Sequence, residues 1–372
     1  MIDWTKWARE PDGNTEEYPT IVDIVNDIIQ KEEQHLFCKY PLNHYHFGRE
    51  LECPGRFVMI SRTGDNEHLE LLPTSKSKLT YYRGQNDYYK QCLPSLYRKT
   101  EDKEDKKVLR SRLQISELKL CLLSHPVIWD LVINRFSYEN KIMNIQIPIY
   151  FNGLAQHYGI ETTLLDLTAD KWVAAFFAST ICKDDEYYPV DPSIKNHPQY
   201  GVFYRYSWML PTGELRPDGV HGIGLQYFNR PGKQSAVAMD LKDKRDFHGI
   251  PGVEKIFFRH DKIASELIFD MCQQKRRLFP EDSLAGMMKP FLKANVFSLN
   301  AVNICREHYY PKKSMGAFSE NVIRQGFQIS GVPQLSFNQD MIQREFEEWN
   351  QEGRRRYLEK LVVLPMKKIP IT

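Results

Sequence analysis

Apolar residues recur along the chain at two spacings, and these divide most of it into helices and strands. Ile21, Ile24, Val25 and Ile28 fall on one helical face, and Thr20 just before them suits an N-cap. Leu109, Leu113 and Leu118 keep a helical period within 101–123, behind a charge run that reads as a solvated helix start. Pro126 can open another helix, VIWDLVINRF. The stretch 147–181 reads as helix, turn and helix: IPIYFNGLAQHYG, IETTLLDLTAD, then KWVAAFFASTIC. Helical patterns return at 261–277 and 282–293, with a short one at 340–349.

Runs rich in Val, Ile, Phe and Tyr predict strands at 57–61, 78–85, 201–208, 225–228, 234–241 and 253–258. Helices dominate the first half and strands cluster in the second. Strand and helix do not alternate regularly, which predicts an α+β fold, with helices of the first half packed on a mixed or antiparallel β core. The expected division is an extension over 1–75, a main domain over 76–293 and a helical or irregular extension over 294–372.

Hydrophobic residues at 42% and charged residues at 26% exclude a largely disordered chain. A net charge of +2 gives no global field toward nucleic acid or an acidic membrane. The seven cysteines are odd in number and none pairs as C-x-x-C, so reduced, mostly buried thiols are expected rather than a disulfide framework. The first residues, MIDWTKWAREPDG, lack the apolar core of a signal peptide. No run reaches the roughly 18 apolar residues of a membrane span. A soluble, cytoplasmic protein is expected. His35, His44 and His46 near Cys38 and Cys53 fit no zinc spacing, so no metal site is assigned.

Phosphate-loop, dinucleotide, metalloprotease and nucleophile-elbow signatures are absent. Two segments carry candidate chemistry instead. The first is Tyr81-Tyr82-Arg83-Gly84-Gln85, with Pro94-Ser95-Leu96-Tyr97-Arg98 downstream. An arginine at a strand end, before a glycine where the chain can turn, offers a planar fork for phosphate or carboxylate. It also suits a buried arginine tying down a carboxylate of the fold. The second segment runs from Leu154 through Gln156, His157, Tyr158 and Gly159 to Asp166 and Thr168, and enters the apolar helix Trp172–Ala178. Polar groups beside a buried helix must be hydrogen-bonded. They serve as a site, or as an N-cap plus one satisfied core aspartate.

Together these segments resemble the FRG domain, a bacterial and phage family named for Phe-Arg-Gly. Tyr82 replaces the Phe, and the run here is YRGQ. Pro94 to Arg98 matches the family's P-S-L-[FY]-R, and Gln156 to Thr168 its Q-H-[FY]-G-x-x-T-x-L-L-D-[WL]-T. Asn229-Arg230 and Gln234 resemble its N-x-R-x-x-x-Q run entering a strand. Leu278-Phe279-Pro280 and Ser283-Leu284-Ala285 resemble its closing element. The resemblance spans about 78–290. It departs at Thr163, where the family usually has Arg, at Leu167 where it has Trp, and at Ser235 where it has Gly.

A weaker resemblance is to ADP-ribosyltransferases of the Arg-Ser-Glu class. It implies an ADP-ribosyltransferase-like sheet and NAD as substrate. Arg83 would hold the phosphates, Thr168 the nicotinamide ribose, and Gln234 would stand near the expected Glu, with Glu254 as a backup carboxylate. Tyr82, Gly84, Gln85, Arg98, Gln156, His157, Tyr158 and Asp166 would line the nucleotide groove. Gln234 cannot supply the negative charge that an oxocarbenium-like transition state favours. Two functions follow. One is transfer of ADP-ribose to a macromolecular acceptor, protein or nucleic acid, in phage defence or a toxin-like role. The other is a nucleotide- or partner-binding module without turnover.

Overall fold

The computed structural model describes residues 2–12, 17–37, 57–61, 69–73, 80–98, 104–133, 136–138, 141–145, 149–207, 220–223, 226–358 and 361–363. The side chains of His35, Cys38, His44, His46 and Cys53 lie outside them.

Six strands form the central sheet: β1 (Thr80–Gln85), β2 (Leu164–Thr168), β3 (Tyr200–Ser207), β4 (Val220–Gly222), β5 (Ala236–Asp240) and β6 (Val253–Arg259). Their order is β4-β5-β2-β1-β3-β6, and every neighbouring pair is antiparallel. The expected α+β class with an antiparallel core matches this arrangement. The segment IETTLLDLTAD, expected as a turn, instead supplies the central strand β2. Of the expected 225–228 strand, the described residues 226–228 are not a strand: Phe228 turns into the helical core and stacks on Phe337 at 5.9 Å.

Among the described residues the α-helices are α1 (Ile21–Phe37), α2 (Glu104–Leu123), α3 (Pro126–Ile133), α4 (Phe151–His157), α5 (Lys171–Ser179), α6 (Asn229–Lys233), α7 (Lys262–Met271), α8 (Ser283–Phe291), α9 (Leu299–Tyr309), α10 (Met315–Arg324), α11 (Gln339–Glu348) and α12 (Arg354–Leu358). They are not confined to the first half. Thr20 caps α1 reciprocally with Asp23: the Asp23 amide donates to the Thr20 hydroxyl at 3.3 Å, and the Thr20 amide donates to the Asp23 carboxylate at 2.8 Å.

Side-chain alternation gives the sheet two buried faces. On one, Tyr82, Phe203, Ile256 and Phe258 pack against α5, α1 and α7 through Phe176, Ile24, Val25 and Ile268. On the other, Tyr81, Tyr204, Tyr206, Val237, Met239 and Phe257 gather with Phe247. A third core is helical. It joins Leu113, Leu118 and Leu122 of α2 to Leu284, Val302, Phe318 and Ile342 from beyond residue 280. α2 thus finds apolar partners at the far end of the chain.

Cys92, Cys121, Cys272 and Cys305 are buried free thiols and Cys182 is an exposed one. Burial pushes Cys121 and Cys305 up to about 12. Among the described residues, no helix is long and apolar enough to cross a membrane.

The segment before α1 is pinned by Asp27, which accepts from the Ile2 amide at 2.7 Å and from Lys31 at 2.7 Å. Burial works to raise its pKa, but Lys31 and the Ile2 amide outweigh that and hold it below the ordinary value. A depressed folded pKa means that the contribution is complete above the unfolded value of about 3.9 and lost as pH falls through the folded value. Acidification below about pH 4 should therefore free Trp4, which also donates to Asp27. A fluorescence change at Trp4 that is absent in Asp27→Asn would verify this.

Candidate functional site

Between β1, α4 and the turn before α2 lies an open-sided pocket of about 220 Å³, lined by Arg83, Ser95, Arg98, Gln156, Glu161 and Asp166 among others. Arg83 rises from the middle of β1. Gly84 beside it is not at a turn but inside the strand, where a Cβ would lie 1.9 Å from the Ala174 carbonyl oxygen and 2.7 Å from the Ala178 Cβ. The glycine serves close approach: α5 lies directly on β1 there.

The Arg83 guanidinium donates through Nη1 to the Asp166 carbonyl at 2.8 Å, while its buried Nε has no hydrogen-bond partner. Arg98 donates through Nε to the Leu93 carbonyl at 3.1 Å. Burial, then the like charge of Arg83, lowers the Arg98 pKa from its ordinary value. Arginine starts so high that it stays cationic at neutral pH. Two guanidiniums thus face one pocket.

Lys107 of α2 holds that wall in place. Only 6% exposed, it donates to the carbonyls of Ser95 at 2.8 Å and Arg98 at 3.3 Å and pairs with Glu161 at 3.0 Å. The charge run is therefore not solvated throughout. Sequence reasoning does not single out Lys107, although counting back from Leu118 by helical turns reaches Gln114, Ser111 and Lys107, all buried.

Gln156, near the end of α4, donates to Asp166 Oδ1 at 2.5 Å and accepts from the Thr162 hydroxyl. The Asp166 carboxylate is about half exposed, at 47%. Gly159, at φ +93°, makes the turn that brings α4 back toward β2.

A buried polar network adjoins the pocket. Gln234 donates through Nε2 to the Leu278 carbonyl at 3.0 Å, and its Oε1 lies 3.0 Å from His157 Nδ1. Burial lowers the His157 pKa against the opposing pull of Asp166 and Gln234. Arg230 lies over the Tyr158 ring at 4.6 Å and donates to the His157 carbonyl at 3.1 Å. The Tyr158 hydroxyl donates to Asp282, whose pKa is raised by burial. Asp282 also caps α8 through the Ala285 amide at 2.8 Å. This explains why a Leu-Phe-Pro element is followed by a polar cap.

The structure separates the remaining candidates from Arg83. Thr168 is opposite Tyr82 in the sheet, so it points to the face that Arg83, one residue on, does not. Its hydroxyl donates to the Gln234 carbonyl at 2.7 Å and accepts from the Asp170 amide at 3.0 Å, which makes it a bolt between β2, α5 and α6. Gln234 does not open a strand but ends α6. Glu254 on β6 pairs with Arg205 at 2.5 Å, three strands from Thr168 and so about 14 Å away. Gln85 and Tyr82 are buried in β1 outside the pocket lining.

Ser235 follows Gln234 at φ +44°, a conformation glycine adopts without penalty. The family's usual glycine has its physical reason here. Ser235→Gly should raise stability by about 0.5–1 kcal/mol, since relief of the left-handed strain is partly offset by a freer unfolded chain. Urea denaturation measures it, and a loss of stability would contradict the backbone argument.

Among known families, the model of the FRG domain matches residues 78–186. This chain carries an FRG domain. The matched stretch holds Arg83, Ser95, Arg98, Gln156, Glu161 and Asp166, every polar residue of the pocket named above, and also Lys107, His157 and Thr168 outside its lining. It stops before Arg230, Gln234 and Asp282, which buttress the FRG domain from outside the match. No curated protein and no solved structure matches the chain, and nothing in these comparisons supports the resemblance to ADP-ribosyltransferases.

Proposed function

We propose that the FRG-domain pocket is a binding site for the phosphate group of a small ligand, and that the protein acts as a binding module. The observation that carries this reading is the pair of guanidiniums in one pocket, with Arg83 Nε buried and unpartnered. Arginine binds phosphate through paired N–H donors, and a buried donor without an acceptor is costly. Two guanidiniums, Arg83 and Arg98, share the pocket with the carboxylates Glu161 and Asp166, and Glu161 is already paired with Lys107 behind the wall, so the pocket suits an anion. At about 220 Å³ it is smaller than the ~300–1,000 Å³ of typical small-molecule sites, so it suits a phosphorylated end rather than a whole dinucleotide.

Arg83→Lys keeps the charge and loses the fork. Inorganic pyrophosphate should bind at least about tenfold more weakly while the thermal melt stays near wild type. Unchanged binding per folded molecule would overturn the reading.

A second reading, NAD-dependent ADP-ribosyl transfer, is favoured by one observation: the half-exposed Asp166 carboxylate shares the pocket with the two arginines. Asp166 is then the group to stabilise a developing oxocarbenium ion, rather than Gln234 or Glu254. A macromolecular acceptor and a role in phage defence or as a toxin belong to this reading. Nicotinamide release from NAD by wild type, Asp166→Asn, Gln234→Glu and Glu254→Gln separates the two. Release lost only in Asp166→Asn supports transfer, and no release from any of them supports the binding module.

A further inference from the structure

We infer that Lys107, which does not line the pocket, decides whether the pocket accepts an anion: it is a positioning residue that works by cancelling the charge of Glu161. This rests on the phosphate reading above and adds what gives the pocket its sign.

The charged side chains that line the pocket balance one another: the guanidiniums of Arg83 and Arg98 against the carboxylates of Glu161 and Asp166. Gln156, the side chain that donates to Asp166, is a neutral amide and cancels nothing. A surplus of positive charge therefore has to come from behind the wall, and Lys107 supplies it. Its ammonium lies 3.0 Å from Glu161 Oε1, and its side chain is 6% exposed against 45% for Glu161. Little water stands around that ammonium, so the pair attracts more strongly than two exposed charges would.

Packing alone does not call for an ammonium at this position. A buried lysine is costly unless its charge and its donors are met. Lys107 has three N–H donors and three acceptors: the carbonyls of Ser95 at 2.8 Å and Arg98 at 3.3 Å, and the Glu161 carboxylate. These acceptors stand on two walls of the pocket. Ser95 and Arg98 belong to the turn before α2, and Glu161 to the turn between α4 and β2. The two walls are also tied without Lys107. The Leu96 amide donates to the Thr162 carbonyl at 3.3 Å, and the Ser111 hydroxyl of α2 donates to the Glu161 carbonyl. Loss of the Lys107 ammonium would leave those ties in place. What it would remove is the charge that keeps Glu161 from repelling a phosphate.

Inorganic pyrophosphate titrated by calorimetry into the full chain tests this. Lys107→Met should weaken binding by about tenfold, because Glu161 is then unopposed. Lys107→Met combined with Glu161→Gln should return to within about threefold of wild type, since the carboxylate that repels the ligand is gone. A role confined to propping the wall would show no such rescue. Glu161→Gln alone changes a half-exposed side chain, so its readout does not depend on whether a variant at the buried lysine folds. It leaves the Lys107 charge uncancelled and should tighten binding by about threefold. Undiminished binding by Lys107→Met, a double variant as weak as Lys107→Met, or no tightening in Glu161→Gln overturns the inference and leaves the phosphate site standing. Failure of the wild type to bind pyrophosphate overturns both.

Discussion

Phe176→Ala is expected to lower the unfolding free energy by about 3–5 kcal/mol. Phe176 is fully buried at the centre of α5. Its ring centroid lies 5.2 Å from that of Tyr187, and its ring is parallel to Phe269 at 6.3 Å. Those neighbours sit on a hairpin strand and on α7, so the cavity could close only by moving two elements. The loss should reach the pocket as well. The turn from β2 into α5 is held by Asp170, which caps the helix at the Trp172 amide, 2.8 Å away, and by the Thr168 hydroxyl. Tyr188, next to Tyr187 but 53% exposed, is the control: Tyr188→Ala should change stability by no more than about 0.5 kcal/mol. Equal losses for the two in urea denaturation would mean that α5 is not the core element described.

Gly84→Ala should exceed the ~1–3 kcal/mol usual for overpacking. The new methyl would meet the Ala174 carbonyl oxygen at 1.9 Å and the Ala178 amide nitrogen at 2.8 Å, and backbone atoms of a packed helix cannot step aside singly. Either α5 lifts from β1 or β1 bows, and Arg83 moves with it. Pyrophosphate binding should therefore fall even in the molecules that remain folded. Gly286, inside α8, has nothing within 4 Å of where a Cβ would stand, and Gly286→Ala should instead stabilise by roughly 0.5–1 kcal/mol. If Gly84→Ala is as mild as Gly286→Ala, the close contact between α5 and β1 is wrong.

The pair of glycines shows where the sequence stops being legible. A glycine that needs a left-handed backbone and a glycine that needs empty space look alike in sequence, and Gly84 reads as a turn until α5 is seen lying on it. The regular elements are legible because one period dominates each. Thr20 marks the start of α1, Phe57–Ser61 reads as the strand it forms, and the apolar run after Asp170 is the buried helix α5. β2 is not legible as a strand from its pattern. It is central and covered on both faces, so the alternation that betrays a half-buried strand is missing, and its polar Asp166 and Thr168 resemble turn chemistry. In the candidate site, Arg83, Arg98, Gln156 and Asp166 stand out in the sequence and share one pocket. The face on which Thr168 points depends on its register with Tyr82, and the distance of Glu254 depends on strand order. Neither is encoded locally. Lys107 is hidden by its neighbours, since a charge run gives no sign of which lysine turns inward.

The helical core that joins α2 to α10 and α11 also sets a schedule for synthesis. Leu118 leaves the ribosome roughly 200 residues before Phe318, its partner in that core. At about 5–20 residues per second, the apolar face of α2 waits some 10–40 seconds for its far-side neighbours. During that interval the sheet can close while α2 has little to cover it but α3 and α4. A ribosome stalled near residue 300 would therefore hold an assembled sheet beside an uncovered row of leucines, a surface suited to a chaperone.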